Sequence, residues 1–208
     1  MTETTSPTAT LSSARRPGTP SMLSHVAYVT HDTQATTTFF TKVLGMELVN
    51  AVLDDAIPST GEPVPYFHSF FRMLDGSTVA FFEAPELPPA AAPTHPAYDT
   101  FHHLALQVES PEAVDAWCEW IRANDVEVLG PVDHQIIYSI YFHEPGGLRM
   151  EITTPLAPVW NDNADAAHAS LADWVALKEK AKAEGADLSV VVKEFTVERS
   201  HRRAKEAQ

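Results

Sequence analysis

Short runs of alternating apolar and polar residues fill the first half of the chain after residue 21, and this alternation predicts β-strands. Between the first two runs, apolar residues recur at helical spacing over 33–44, with Asp32 as the predicted N-cap and Gly45 ending the helix. The predicted strands are 22–30, 47–53, 66–74 and 78–83. The order of elements is therefore a strand, a helix and three strands, or βαβββ.

The same pattern returns in the second half of the chain, after a stretch at 87–99 whose proline and alanine content predicts a linker. A strand at 101–108 is followed by a helix at 110–124, with Ser110 as N-cap and Pro111 in its first turn. Three further strands are predicted, at 126–129, 134–142 and 148–153. We therefore expect a second βαβββ unit built like the first.

The two ends of the chain lack this alternation. The first twenty residues are polar and rich in Thr, Ser and Pro, which is typical of a disordered tail. Residues 162–185 have the spacing of a helix that ends at Gly185, and 187–200 is compatible with strand or helix. The predicted organisation is a tail, a first module, a linker, a second module and a C-terminal helical extension, at 1–20, 21–86, 87–99, 100–156 and 157–208.

The composition and net charge of the chain make some classes of binding partner unfavourable. The 208 residues are 44% hydrophobic and 20% charged, as in ordinary globular proteins, and the net charge of −14 disfavours nucleic acid and anionic membranes as partners. No apolar run has the length of a signal peptide or reaches the ~18 residues of a membrane span, which predicts a cytoplasmic protein. Cys118 is the single cysteine, so no disulfide forms within the chain, and its helical spacing predicts a buried structural thiol.

Histidine and glutamate recur at similar places in both units. His25 and His103 begin the first strand of each unit, and Glu83 and Glu151 lie on the last strand of each. If the units pack with pseudo-symmetry, these four side chains meet in one cleft. Two imidazoles and one or two carboxylates are a ligand set for Fe(II), Mn, Zn or Ni. We therefore predict an α+β fold in which two βαβββ repeats form a curved mixed sheet around a metal cleft, plus a C-terminal helix.

The last two strands of the second unit predict a hairpin that carries further polar groups. The segment Pro145–Gly147 supplies a tight turn, since proline presets φ and glycine tolerates a positive φ. His134, Tyr141 and Glu151 lie on the two arms of this hairpin. Because all three side chains can take part in chemistry, the hairpin is the predicted centre of the site.

These features together resemble the vicinal oxygen chelate superfamily, which includes glyoxalase I, extradiol ring-cleaving dioxygenases, methylmalonyl-CoA epimerase, and fosfomycin- and bleomycin-resistance proteins. The resemblance covers about residues 22–155 and rests on the βαβββ repeat with His25, His103 and Glu151. The segment Phe39–Met46 also looks like the ending of the family's first helix. The resemblance implies a paired-module fold and a metal-dependent protein.

The hairpin is similar to the signature of extradiol dioxygenases. The positions that match at the signature's spacing are His134, Ile140, Tyr141, Glu144, Pro145, Gly147 and Glu151. The resemblance implies that His25, His103 and Glu151 ligate Fe(II). It also implies that Tyr141 hydrogen-bonds a catecholate oxygen and that His134 lines the pocket around substrate or oxygen.

The function implied by this resemblance is an Fe(II)-dependent extradiol-type dioxygenase. Such an enzyme cleaves a catechol-like aromatic ring with O2 in aromatic compound catabolism, and we expect it to be a homo-oligomer. Extradiol enzymes usually carry a further histidine on the strand corresponding to residues 77–81. This chain has none there, and the nearest one in that part of the sequence is His68.

Two alternatives stay open from the sequence. Glyoxalase-like and epimerase-like members use a glutamate at the position of Glu83 as a fourth ligand, which implies a lyase or isomerase with Ni, Zn, Co or Mn. The other alternative is a non-enzymatic drug-binding resistance protein, which predicts loss of the metal ligands, and the set of His25, His103 and Glu151 counts against it. The sequence also allows the modules to pair within one chain or across a dimer.

Overall fold

Two four-stranded sheets form the body of the protein, and the strands of each sheet occur in the same order along the chain. The computed structural model describes residues 18–89, 91–157 and 160–206, so nearly all of the predicted tail lies outside the described residues. The first unit consists of β1 (His25–Val29), α1 (Thr33–Thr38), a π-helical segment that continues it (Phe39–Val43), β2 (Glu47–Asp54), β3 (Tyr66–Arg72) and β4 (Thr78–Glu83).

The second unit repeats this order, and a helical pair follows it. Its elements are α2 (Ala97–Phe101), β5 (Leu104–Gln107), α3 (Pro111–Ala123), β6 (Leu129–Asp133), β7 (Ile137–His143) and β8 (Arg149–Pro155), followed by α4 (Ala164–Glu184) and α5 (Leu188–Glu206). The predicted α+β class with two βαβββ units is confirmed. The structure differs in detail, because the strands form two separate sheets and two helices follow them.

Local capping explains where several elements begin and end. Asp32 accepts a hydrogen bond from the backbone N–H of Ala35 at 2.9 Å, as expected of an N-cap, and Ser110 does the same for Ala113 at 3.2 Å. The ambiguous segment after Gly185 is helical, and the Asp187 carboxylate accepts from the N–H of Ser189 in its first turn. Short polar side chains therefore set these helix starts, as the sequence predicted for the first two.

Several predicted strand boundaries differ from the structure, and the differences in the second unit have local causes. Phe101, predicted to open a strand, is the last residue of α2. The strand predicted at 126–129 begins only at Leu129, because the N–H of Val126 still bonds to the carbonyl of Ile121 at the end of α3. His134 precedes β7 in a turn where Gln135 has a φ of +71°.

The strand order is β1-β4-β3-β2 in the first sheet and β5-β8-β7-β6 in the second, with β1–β4 and β5–β8 parallel. Ala27 lies opposite Ala80, and the equivalent Ala105 lies opposite Glu151. The structural counterpart of Glu151 in the first unit is therefore Ala80. The expectation that Glu83 and Glu151 occupy similar places in the two units is therefore wrong by this register.

One hydrophobic core joins the two units. Each sheet buries one face against its helix, and the rings of Phe39 and Phe142, one from each unit, lie 6.2 Å apart in the shared cluster. Trp120 on α3 donates from Nε1 to the carbonyl of Val43 at 2.7 Å, which adds a polar contact between the units. Cys118 is buried in this core and burial raises the pKa of its thiol, in agreement with the structural role predicted for it. We call the opposite side of each sheet its open face.

No helix in the described part of the chain is both long enough and apolar enough to cross a membrane.

Candidate metal and catalytic site

The open face of the second sheet carries a connected group of polar side chains. Tyr141 on β7 lies directly opposite Glu151 on β8, so the two side chains point to the same side of the sheet. His103 immediately precedes β5, two residues before Ala105, which is the parallel partner of Glu151. Strand alternation therefore brings residues from three neighbouring segments to one place.

Hydrogen bonds link these side chains into a chain of four. His103 Nε2 lies 2.8 Å from Glu151 Oε2, and the Tyr141 hydroxyl donates to Glu151 Oε1 at 3.1 Å. His134 Nε2 lies 2.9 Å from the Tyr141 hydroxyl oxygen. Because that hydroxyl donates its hydrogen to Glu151, its oxygen accepts from the His134 Nε2–H group. The side chain of Glu151 is 3% exposed, so both of its oxygens depend on these partners.

The electrostatics keep the Tyr141 hydroxyl protonated. Burial raises the pKa of Tyr141, and the Glu151 carboxylate raises it further through its charge and through the hydrogen bond it accepts. The positive charge of Arg149 lowers the pKa of Tyr141 only in part. Tyr141 is therefore a neutral hydrogen-bond donor at neutral pH, oriented by its two partners.

The donor atoms of His103 and Glu151 have the spacing of two ligands of one divalent ion. Nitrogen and oxygen donors bound at about 2.1 Å, roughly at right angles, lie about 3 Å apart, close to the 2.8 Å between these atoms. The described residues contain no group of three or more His, Cys, Asp or Glu side chains placed to hold a metal ion. One chain thus brings together two of the three predicted ligands.

His25, the third predicted ligand, lies on the open face of the first sheet. It is exposed, its ring centroid is 5.8 Å from that of Phe70, and its Nδ1 is 3.2 Å from the Ser24 hydroxyl. The structure therefore keeps the predicted equivalence of His25 and His103 but does not bring them together in one chain.

Glu83 lies on the other side of the first sheet from His25. His25 is opposite Thr78, and Glu83 is five positions further along the same strand. Because five is an odd number, alternation turns the Glu83 side chain to the other face, towards the helix. Glu83 Oε2 accepts from the N–H of Thr33, the first residue of α1, at 2.7 Å. The five-residue separation along β4 also amounts to about 16 Å. Glu83 lines a separate cavity of about 450 Å³ near Tyr66.

Two further residues lie on the open faces. Arg149 was missed by the sequence reasoning, whereas His68 was noted there only as the nearest histidine to residues 77–81 and was given no role. Arg149, two residues before Glu151 on β8, holds its guanidinium carbon 4.8 Å from the centroid of the Tyr141 ring. His68 on β3 stacks on Phe82 and its Nδ1 lies 3.0 Å from the carbonyl oxygen of Phe81. Strand alternation with Glu151 was the available signal for Arg149, since it predicts that both side chains lie on one face.

The family model that matches this sequence is described as the glyoxalase/bleomycin resistance protein/dioxygenase superfamily, and it matches residues 22–152. The chain belongs to this superfamily. The matched span contains both βαβββ units up to the middle of β8, and it leaves α4 and α5 outside. The resemblance found in the sequence is therefore confirmed at the level of the superfamily.

Individual superfamily members show how far the likeness reaches. The chain is 32% identical to the metapyrocatechase of Pseudomonas sp. strain CF600 over 122 residues, which cover 57% of this chain and 34% of that protein. It is 28% identical over 132 residues to a candidate ring-cleaving dioxygenase of Bacillus subtilis strain 168, MhqA, covering 62% of this chain and 39% of that protein. The match thus spans little more than a third of each curated relative.

A solved structure, a glyoxalase/dioxygenase from Nostoc punctiforme, is similar over its whole length. It has 25% sequence identity and a TM-score of 0.50, and the match covers 71% of this chain and 100% of that one.

Proposed function

We propose that this superfamily member is an Fe(II)-dependent extradiol-type dioxygenase that cleaves a catechol-like aromatic ring with O2. The observation that carries the proposal is the hydrogen-bonded chain from His134 through Tyr141 and Glu151 to His103. In this series of contacts, the protonated Tyr141 hydroxyl lies beside His103 and Glu151, the two residues proposed as metal ligands. The 32% identity to a metapyrocatechase over 122 residues supports the same reaction class.

His103 Nε2 and one oxygen of Glu151 would hold the metal, with His25 as the third ligand. Two histidines and one carboxylate leave coordination positions free, so a bound Fe(II) would supply the affinity for both diol oxygens and the activation of O2. With a diol bound, the Tyr141 hydroxyl would turn its hydrogen from Glu151 Oε1 to a diol oxygen, while the Tyr141 oxygen would go on accepting from the His134 Nε2–H group.

We further propose that His25 reaches the site from a second copy of the chain. The helix sides of the two units share one core, which leaves both open faces uncovered within a chain. If the first open face of one copy lies on the second open face of another, His25 meets His103 and Glu151. A two-fold axis would form two such sites per dimer.

The geometry of Glu83 argues against the lyase or isomerase alternative. Its carboxylate already accepts from the N–H of Thr33, and it points to the helix side of its sheet. We propose that Glu83 stabilises the start of α1 and that the site has three protein ligands. A purely drug-binding protein would need neither the paired donors of His103 and Glu151 nor the oriented Tyr141.

The test is to purify the protein without oxygen, measure its bound metal, and add catechol while recording O2 consumption and formation of a yellow ring-opened product. We expect iron at about one ion per chain and one O2 consumed for each catechol. Tyr141→Phe should keep the iron and slow turnover. The control Tyr138→Phe, which removes a hydroxyl bonded to Asp115, should keep both the iron and the turnover rate. Nickel or zinc with no O2 consumption would refute the proposal.

A further inference from the structure

Arg149 is placed beside the proposed reaction site without being needed to build it. It is the first residue of β8 and lies opposite His143. Alternation along the strand puts its side chain on the same open face as Glu151. Its guanidinium lies over the ring of Tyr141, whose hydroxyl is the group proposed to meet the diol.

The guanidinium of Arg149 is mostly buried and poorly partnered. The side chain is 12% exposed, and its buried Nε has no hydrogen-bond partner in the described part of the chain. The nearest carboxylate, Asp99 Oδ2, is 3.9 Å from Nη1, which is beyond hydrogen-bond distance. Asp99 is half exposed, and its other oxygen lies 3.3 Å from His143 Nε2. The Arg149 guanidinium therefore keeps N–H groups that donate to no atom of the described residues.

These unused donors fit an oxyanion, and on the aromatic diol of the proposed function the simplest such group is a carboxylate. A guanidinium presents a planar fork of N–H groups that binds a carboxylate through two parallel hydrogen bonds, and stacking on an aromatic ring holds the fork in one orientation. The chain as a whole carries a charge of −14, so an anionic ligand needs such a local cation to bind.

We infer that Arg149 determines specificity at this site by binding a carboxylate group on the substrate, so that the preferred substrates are carboxylate-bearing catechols. The inference rests on the proposed function, because Tyr141 must direct the diol for the substituent to reach Arg149. Beyond the reaction type, the inference specifies which catechols are preferred substrates.

The first experiment measures binding to the full-length protein by calorimetry, with benzoate and benzyl alcohol as probes that lack a diol. We expect benzoate to bind at least about tenfold more tightly than benzyl alcohol, the scale of a charge-assisted hydrogen bond. Arg149→Met should abolish this preference and Arg149→Lys should keep part of it. The matched control Arg72→Met, on β3 with Glu47 as its partner, should retain the preference in full.

The second experiment needs no substitution. In a two-dimensional NMR spectrum of arginine Nε–H groups, the Arg149 signal should shift on adding 3,4-dihydroxybenzoate and should stay nearly unchanged on adding catechol, with Arg72 as the internal control. Equal shifts with both ligands, or none, would overturn the inference even if Arg149→Met fails to fold.

A third measurement separates this inference from the proposed function. The ratio of kcat/KM for 3,4-dihydroxybenzoate over catechol should fall about tenfold in Arg149→Met. If catechol is cleaved but the ratio is the same in the variant, the dioxygenase stands and the role of Arg149 is wrong. If no diol is cleaved, the proposed function fails, and the benzoate preference still decides whether Arg149 binds carboxylates.

Discussion

Replacing Tyr141 by phenylalanine tests the hydrogen-bonded chain at its middle. The substitution removes a single oxygen atom and keeps the ring that packs beneath Arg149, so it creates no cavity in the sheet. Glu151 loses the donor to Oε1, and His134 loses the oxygen it donates to. The effect on stability therefore reports the contribution of these two contacts.

The magnitude follows from the burial of Glu151. Its side chain is 3% exposed, so water replaces the lost donor poorly, and a hydrogen bond to a charged group contributes about 1.5–3 kcal/mol. We expect Tyr141→Phe to lower the free energy of unfolding by about 2 kcal/mol at pH 7. For a chain of this size, that corresponds to a fall in Tm of about 4–8 °C.

The assay is urea unfolding, followed by circular dichroism, of protein dialysed against a chelator so that only protein contacts are compared. The protein concentration is held fixed, since association would stabilise the folded state. Tyr138→Phe is the matched control, because Tyr138 lies on the same strand but its hydroxyl donates to Asp115 of α3 in a solvent-exposed position. If Tyr141→Phe loses no more stability than Tyr138→Phe, the hydrogen bonds of Tyr141 with Glu151 and His134 do not stabilise the protein.

Three further outcomes are expected. Glu151→Gln should lose bound iron by elemental analysis, whereas Glu83→Gln should retain it and lose only stability; equal loss in both would restore Glu83 as a ligand. Mixing inactive His25→Ala with inactive Glu151→Gln should recover roughly a quarter of wild-type activity through mixed dimers with one intact site, and no recovery after subunit exchange would place both ligands in one chain. Burial lowers the folded-state pKa of His68, so the stability that its neutral form contributes is complete above about pH 6.5 and is lost as the pH falls through the folded value. Wild-type stability should therefore decline more between pH 7 and 5 than that of His68→Asn, and parallel declines would contradict this.

The predicted site residues that the structure brings into contact with one another are mostly close together along the chain. His134, Tyr141 and Glu151 lie on one hairpin, and the spacing across a tight turn decides which side chains face each other. The position of His103 beside the last strand could also be predicted, because the parallel pairing of the first and last strands repeats in both units. Local patterns and a repeated topology were sufficient for these residues.

The sequence could not supply the arrangement that depends on contacts between distant segments. Whether His25 joins its proposed partners depends on how the two units dock, and that is set by core contacts such as Phe39 with Phe142. The direction of Glu83 depends on counting residues from a pairing register that only the structure gives. Arg149 was missed because a lone arginine at a strand end is ordinarily solvated, and its burial here depends on the Tyr141 ring.

The closeness of His134, Tyr141, Arg149 and Glu151 along the chain has a consequence for folding. Contacts between residues that are near in sequence close small loops, which costs little chain entropy and allows rapid formation. These four side chains can therefore take up their relative positions as soon as the β7–β8 hairpin closes. The relative orientation of these four side chains is then set early and locally, while the contact of Glu151 with His103 and the proposed contact with His25 wait for the slower docking of larger parts.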